Sequence, residues 1–258
     1  MTATTITILI IFIVGLFVGS FMSTVIHRTH ETQESFVRGR SKCPKCRTQL
    51  KAQDLIPVFS YIFTKGRCRH CKERISAHYP LLEILTAGIF ATLLFKYDVG
   101  IDTLFYMLIG IFLLAIFFED ILYREILNGF VIPLAIFSLG VNLVTGNVGI
   151  VSMLIAVVIA LLFFGGQILM SRGRWLGGGD LKLGIAMAIL LGWEMFILAV
   201  IVGYILGAFS ALYLVIRKKA RRGTQIAFCP YLVIGTFAAL IFGEELLSLY
   251  QSLIISFI

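Results

Sequence analysis

Eight apolar runs, each close to the length that crosses a bilayer, constrain this chain more than any other feature. A hydrocarbon core takes about 20 apolar residues of helix, and somewhat fewer where a bundle holds short or broken helices. Runs at about 6–26, 80–95, 101–119, 129–146, 148–170, 181–193, 195–216 and 227–243 meet that description. With 59% hydrophobic and 14% charged residues and a mean hydropathy of +0.97, the composition is far from a soluble domain's roughly 25% charged. The predicted fold class is therefore an all-α integral membrane protein of about eight transmembrane helices. The first run has no basic residue before it and no small-residue cleavage site after it, so it reads as a retained helix rather than a secretory signal peptide. The 181–193 run is short and ends at Gly192-Trp193-Glu194, a tight turn or a simple interruption. It is kept as a pass because removing it puts the basic run at 217–222 on the opposite face from the other basic loops.

Short loops rich in Lys and Arg stay in the cytoplasm. Of the 22 such residues, twelve lie between Arg28 and Arg74, one at Arg124, three between Arg172 and Lys182, and five between Arg217 and Arg222. Lys96 alone falls on the other face, which collects Asp98, Asp102, Glu194, Glu244 and Glu245. Eight passes with both termini outside satisfy this distribution. The net charge of +8 is then the positive-inside bias, and it asks for no nucleic-acid partner.

The sizeable polar segment, from Arg28 to Tyr79, contains Cys43-Pro-Lys-Cys46 and Cys68-Arg-His-Cys71, two knuckles separated by 21 residues. That spacing matches a four-cysteine structural zinc site, and a polar loop of this size needs such a staple because it has little core of its own. A disulfide pair, incidental cysteines, an iron–sulfur cluster and a thiol redox pair are the competing readings; a reducing cytoplasm argues against the first and the spacing against the second. His70 lies inside the second knuckle, where a complete cysteine set leaves it no necessary place as a ligand. The fifth cysteine, Cys229, reads as a packing residue.

Two acids stand where apolar runs meet polar loops: Asp120, in Phe117-Phe-Glu-Asp-Ile-Leu-Tyr-Arg-Glu125, and Asp180, in Trp175-Leu-Gly-Gly-Gly-Asp-Leu-Lys182. Asp180 alone reads as an ordinary helix N-cap, and Asp120 alone as a boundary charge beside Glu119 and Arg124. Both fall on the cytoplasmic side of the eight-pass topology, however, and acids at the edge of a membrane bundle are functional candidates. Two carboxylates sharing a proton can activate water and protonate a leaving amine.

These residues and several others resemble the type IV prepilin peptidase family, polytopic aspartic proteases of the GxGD class that in many members also methylate the new N-terminus. Gly15-Leu-Phe-Val-Gly-Ser-Phe21 is similar to the family's opening motif, and Ser35-Phe-Val-Arg-Gly-Arg-Ser41 leads into the first knuckle. Asp54-Leu-Ile-Pro-Val-Phe-Ser-Tyr61, Gly66-Arg-Cys-Arg-His-Cys71 and Ile75-Ser-Ala-His-Tyr-Pro-Leu-Leu-Glu83 follow in the family's order. Asp120 with Pro133 after it, and Gly177-Gly178-Gly179-Asp180 followed by Lys182, complete a likeness that runs to Pro230. Met22-Ser-Thr24, Arg28-Thr-His30, Leu127-Asn128 and Phe228-Cys-Pro-Tyr231 depart from the usual residues, and none of these changes touches the acids.

The resemblance implies a peptidase of the bacterial inner membrane, with Asp120 and Asp180 catalytic at the cytoplasmic side. Its implied substrates are type IV prepilins and the pseudopilins of protein secretion, cut after a Gly between the basic leader and the hydrophobic helix. It also implies S-adenosylmethionine as methyl donor, although the chain has no Gly-rich nucleotide fingerprint. The expected division is residues 1–79, the first helix with the zinc loop and the methyltransferase-associated part, and residues 80–258, the peptidase. A transporter or a zinc-loop scaffold with structural acids is the alternative; the first would show paired broken helices in internal repeats.

Overall fold

The protein is described by a computed structural model covering residues 3–31, 41–217 and 227–257. The motif at 35–41, up to residue 40, and the basic run at 218–222 lie outside the described residues. The described residues are nearly all helical: α1 (Ala3–Glu31), α2 (Phe59–Phe63), α3 (His78–Tyr97), α4 (Ile101–Tyr123), α5 (Asn128–Thr145), α6 (Ile150–Ala160), α7 (Gly166–Ser171), α8 (Gly178–Ile216) and α9 (Cys229–Phe257). Two compact units divide them, residues 1–115 and 116–258, with α4 running across the boundary.

In the first unit α1 and α3 pack antiparallel. Gly15 and Gly19 make this possible, since a Cβ on Gly15 would lie 2.6 Å from the Ala87 Cα and one on Gly19 2.7 Å from the Glu83 Cα. Small residues four apart let helix backbones approach closely where lipid supplies no hydrophobic drive between them. The opening motif is thus first a packing device. Leu9, Ile10, Phe17 and Phe21 on the other face of α1 stay exposed, as lipid-facing side chains do. Phe90, Leu93 and Leu94 of α3 and Met107 of α4 close the core, beside a Tyr97–Tyr106 stack at 4.6 Å.

In the second unit the segment Ile150–Ser171 is one continuous path, α6 and α7 joined through a π-helical turn at Leu161–Gly165. Seven helices among the described residues are long and apolar enough to cross a membrane, and α8 is one of them. At 39 residues it would be about 58 Å long if straight. It is not straight. Gly192 has φ 70° and ψ 177°, a conformation only glycine adopts without strain, and a Cβ there would lie 2.5 Å from the Ser152 Oγ. Before this break Gly184 lies under the Phe164 ring; after it Phe196 meets the same ring, and Tyr204 bonds Gln167 near the far end of the α6–α7 path. The chain therefore runs up α6–α7 to Ser152 and returns along it, so α8 is two passes, at 178–191 and 193–216. This matches the two separate apolar runs, and counting α8 as two brings the seven membrane-span candidates to the eight expected.

Breaking a helix inside a bundle orphans backbone groups. The buried Asn142 of α5 answers by donating through Nδ2 to the carbonyls of Ile189 (2.8 Å) and Leu190 (3.2 Å), and the Trp193 amide donates to Ser152 Oγ at 3.2 Å. Helix α9 then packs antiparallel on the returning pass through Ala199, Gly203 and Gly207, opposite Gly235, Tyr231–Leu232 and Phe228 respectively.

Several helices exceed their expected ends. Helix α9 continues to Phe257 rather than stopping near residue 243, and α4 continues to Tyr123. Asp120 therefore lies within the last turn of a helix rather than in a loop. Polar residues do not end α4 because Glu119 and Asp120 turn inward while Ile121 and Leu122 stay outside, 42% and 38% exposed.

Candidate active site and metal cluster

Both acids belong to the second unit, and three chain ends bring them together. Asp120 comes from the end of α4 and is buried at 7% exposure; Asp180, from the start of α8, is buried at 9%. Asp180 is not the N-cap that the sequence suggests. Gly177 holds that position with an extended ψ of 156°, and Asp180 stands three residues in, its Oδ2 accepting the Gly177 amide at 3.2 Å. The capping bond exists, but it occupies one carboxylate oxygen and leaves the other. The helix N-terminus also favours negative charge at this place.

The three glycines differ in what they do. A Cβ on Gly178 would meet open space, and one on Gly177 only an ordinary contact with Asp180. At Gly179 a Cβ would lie 2.9 Å from the Cβ of Ile126, in the loop that follows Asp120. Gly179 thus sets how closely the start of α8 approaches the end of α4. Glu119 braces the same loop: it is fully buried, and its Oε2 accepts the Leu127 amide at 3.4 Å. Lys182 Nζ, on the exposed side, donates to Asn128 Oδ1 at 2.8 Å and so links the first turns of α8 and α5.

Asp120 acts electrostatically on Asp180, which places the two carboxylates in each other's field. Asp120 is further approached by the Cys229 backbone amide and the Arg124 charge, yet its Oδ2 is buried with no hydrogen-bonding partner among the described residues. An orphaned carboxylate oxygen in a buried place is costly unless something polar comes to it.

Cys229 opens α9 with no solvent exposure and feels the charges of Asp120, Asp180 and Glu119 together. Its packing character is as expected, but its amide as a neighbour of Asp120 was not legible in the sequence; the departure Phe228-Cys-Pro was the only signal there. The Tyr204–Gln167 pair, bonded at 2.8 Å, also stands within the field of Asp180, on polar residues that no motif singled out.

In the first unit the four cysteines of the knuckles gather with their sulfurs all within 4.8 Å of one another, a group able to hold a metal ion. The knuckles are built alike. Cys43 donates its amide to Thr48 and receives that of Arg47; Cys68 donates to Glu73 and receives that of Lys72. Arg47 (φ 54°) and Lys72 (φ 59°), each four residues after the first cysteine, take the same left-handed turn. Short antiparallel bridges, Lys42 with Gln49 and Arg67 with Arg74, flank them. The Thr48 side chain, followed by its backbone, holds the Cys46 thiol down at about 6, toward the thiolate. All four cysteines are free thiols, so the disulfide reading is not what the geometry shows, and His70 is not among the gathered ligands.

Known proteins bear on this arrangement directly. The family described as Bacterial Peptidase A24 N-terminal domain matches residues 13–97, and the Type IV leader peptidase family matches residues 107–212. A prepilin leader peptidase/N-methyltransferase of Bacillus subtilis (strain 168) is 31% identical over 242 residues, covering 93% of this chain and 96% of the relative. Proteins of the same description from Aeromonas salmonicida (strain A449) and Neisseria gonorrhoeae are each 28% identical, over 275 and 250 residues; they cover 95% and 86% of this chain and 94% and 86% of their own. No solved structure was found to match. Because both profiles occur in order on one chain and the Bacillus relative aligns with nearly all of it, this chain belongs to the type IV leader peptidase family.

Proposed function

We propose that this multi-pass membrane protein removes the leader of type IV prepilins at the cytoplasmic face of the inner membrane, using Asp120 and Asp180, and methylates the N-terminus it exposes. Membership of the family supports cleavage and N-methylation and does not favour the transporter or scaffold readings. The Lys/Arg distribution supports the cytoplasmic side. The observation that bears most on the acids is the buried Oδ2 of Asp120, without a hydrogen-bonding partner among the described residues and in the field of Asp180, at the meeting of three helix ends.

In the cleavage step one carboxylate is ionised and takes a proton from a water placed between the pair, while the other, protonated, hydrogen-bonds the scissile carbonyl oxygen. The hydroxide equivalent adds to the carbonyl carbon. The tetrahedral adduct then collapses as the new amine takes a proton from the pair, so the C–N bond breaks and the two acids end with one proton between them, as they began. Gly177 through its amide and Gly179 through its close approach to Ile126 position Asp180, and Lys182 tied to Asn128 holds the rim of the same helix starts.

Zinc fits the four-cysteine cluster. Tetrahedral Zn–S bonds of about 2.3 Å place the sulfurs about 3.8 Å apart, and the Cys43 and Cys71 sulfurs stand at 3.9 Å. Cys43, Cys46, Cys68 and Cys71 would hold it, and a full thiolate set makes it structural. S-adenosylmethionine is the methyl donor that the second activity calls for. We keep the functional division at residues 1–79, metal-holding and methyl-transfer-associated, and 80–258, peptidase.

The experiment reads one peptide. Reconstituted wild-type protein with a prepilin yields a mature N-terminus whose cleavage position and added methyl group are both seen by mass spectrometry. Asp120→Asn and Asp180→Asn each abolish leader removal with protein level and insertion unchanged. Glu119→Gln, which keeps the acceptor for Leu127, retains cleavage. Cleavage near the wild-type rate by Asp180→Asn removes this assignment.

A further inference from the structure

The polar loop carries a surface that neither the acid pair nor the cysteine cluster uses. Leu55, Ile56, Phe59, Ile62 and Phe63 are 41%, 45%, 55%, 61% and 77% exposed, five large apolar side chains within nine residues. Phe59, Ile62 and Phe63 share one face of α2, at the i, i+3, i+4 spacing. Directly after them comes an open hollow of about 720 Å³ beside Cys68, lined by Phe63, Thr64, Lys65, Arg67, Arg69 and Lys72. Arg69 is paired with Asp54 at 2.7 Å, whereas Lys65, Arg67 and Lys72 present exposed cations.

An apolar face rimmed by cations has a depth requirement if it is to meet a bilayer. The Val58 amide, at the start of α2, donates to Glu83 Oε2 at 2.7 Å. Glu83 stands five residues into α3, a membrane-span candidate that begins at His78, so it lies about 7 Å below the helix start. Apolar faces of interfacial helices sink about 5–10 Å into the boundary between headgroups and acyl chains. With the start of α3 taken as the bilayer boundary, the pin holds α2 at the level where phenylalanine and isoleucine meet acyl chains and where lysine and arginine reach phosphate.

We propose that residues 55–72 form a membrane-surface site for anionic phospholipid, with Phe59, Ile62 and Phe63 in the acyl boundary and Lys65, Arg67 and Lys72 on the headgroup phosphate. The charge excludes a basic partner such as a lysine- or arginine-rich leader, which these cations repel. The seat fixes the cysteine cluster against the bilayer from two sides, through Glu83 within the protein and through lipid outside it.

The test uses the full chain in nanodiscs of phosphatidylglycerol or of phosphatidylcholine, with Phe63→p-benzoylphenylalanine as a photoprobe and intact-mass readout. Irradiation in phosphatidylglycerol gives an adduct of one phospholipid mass, at several times the yield in phosphatidylcholine. Each cation near an anionic surface adds favourably, so Lys65→Gln, Arg67→Gln and Lys72→Gln together lower the phosphatidylglycerol adduct about threefold or more. Ile62→p-benzoylphenylalanine repeats the result if the first probe disturbs the loop, and Lys45→p-benzoylphenylalanine, on the first knuckle, gives no lipid adduct. A chain-to-chain adduct in place of lipid, no adduct from either α2 probe, or equal yields in both lipids overturns the proposal.

Discussion

Replacing Gly179 with alanine separates the approach of two helix ends from the chemistry of the acids. The added Cβ would stand 2.9 Å from Ile126 Cβ, 3.0 Å from its Cδ1 and 3.2 Å from its Cγ1. Carbon contacts normally sit at about 3.5–4.0 Å, so either Ile126 or the start of α8 gives way by about 0.5–1 Å. Overpacking of this kind costs about 1–3 kcal/mol, and alanine's better helix propensity offsets about 1 kcal/mol of it. The protein therefore stays folded. A shift of about 1 Å at a reacting pair is worth about 10²-fold in rate, and that is the loss expected in prepilin cleavage. Gly178→Ala, where a Cβ meets nothing, keeps near-wild-type activity. Adding Ile126→Ala to Gly179→Ala removes the Cγ1 and Cδ1 contacts and recovers part of the rate, a positive coupling in a double-mutant cycle. The assay is initial-rate cleavage of a prepilin in reconstituted membranes, beside thermal unfolding of each variant. Equal rates for Gly178→Ala and Gly179→Ala, or no recovery from Ile126→Ala, refute the reasoning.

Two further outcomes follow from the metal cluster and the topology. Purified protein carries about one zinc per chain; Cys43→Ser and Cys71→Ser lower metal content and order in the loop together, while Cys229→Ser, remote in sequence and buried in the second unit, keeps the metal. Full zinc in the Cys43 and Cys71 variants sinks the four-cysteine assignment. Reporters fused after Val99 or Gly146 report the outer face and one fused after Gly173 the cytoplasm, as the Lys/Arg bias demands. A cytoplasmic signal from Gly146 places the two acids on different sides and ends the proposed mechanism.

What the sequence by itself determined here is whatever short-range physics encodes. Apolar runs of bilayer length must become helices, because lipid offers the backbone no other partner. The uneven placement of lysines and arginines predicts their orientation. Two Cys-x-x-Cys pairs announce their gathering, since each knuckle brings its own two sulfurs together and the left-handed turns at Arg47 and Lys72 are local. The two runs at 181–193 and 195–216, with Gly192-Trp193-Glu194 between them, also showed the fold-back.

Tertiary structure decided the rest, because it concerns groups far apart along the chain. Asn142 caps carbonyls some 47 residues away, and only the packing of α5 against the break at Gly192 makes an apparently stray polar residue necessary. Glu119 beside Asp120 looks like a second boundary charge, yet the fold buries it to brace the Leu127 amide. Asp180 is readable as a capping residue, but not as one that keeps a free oxygen in the field of Asp120. That Gly179 is the glycine without room for a side chain, and that α9 begins with its amide at Asp120, depend on three helix ends converging. No periodicity or local propensity records such a convergence, since it arises from side-chain volumes meeting across the bundle and from burial that leaves each polar group to find its partner there.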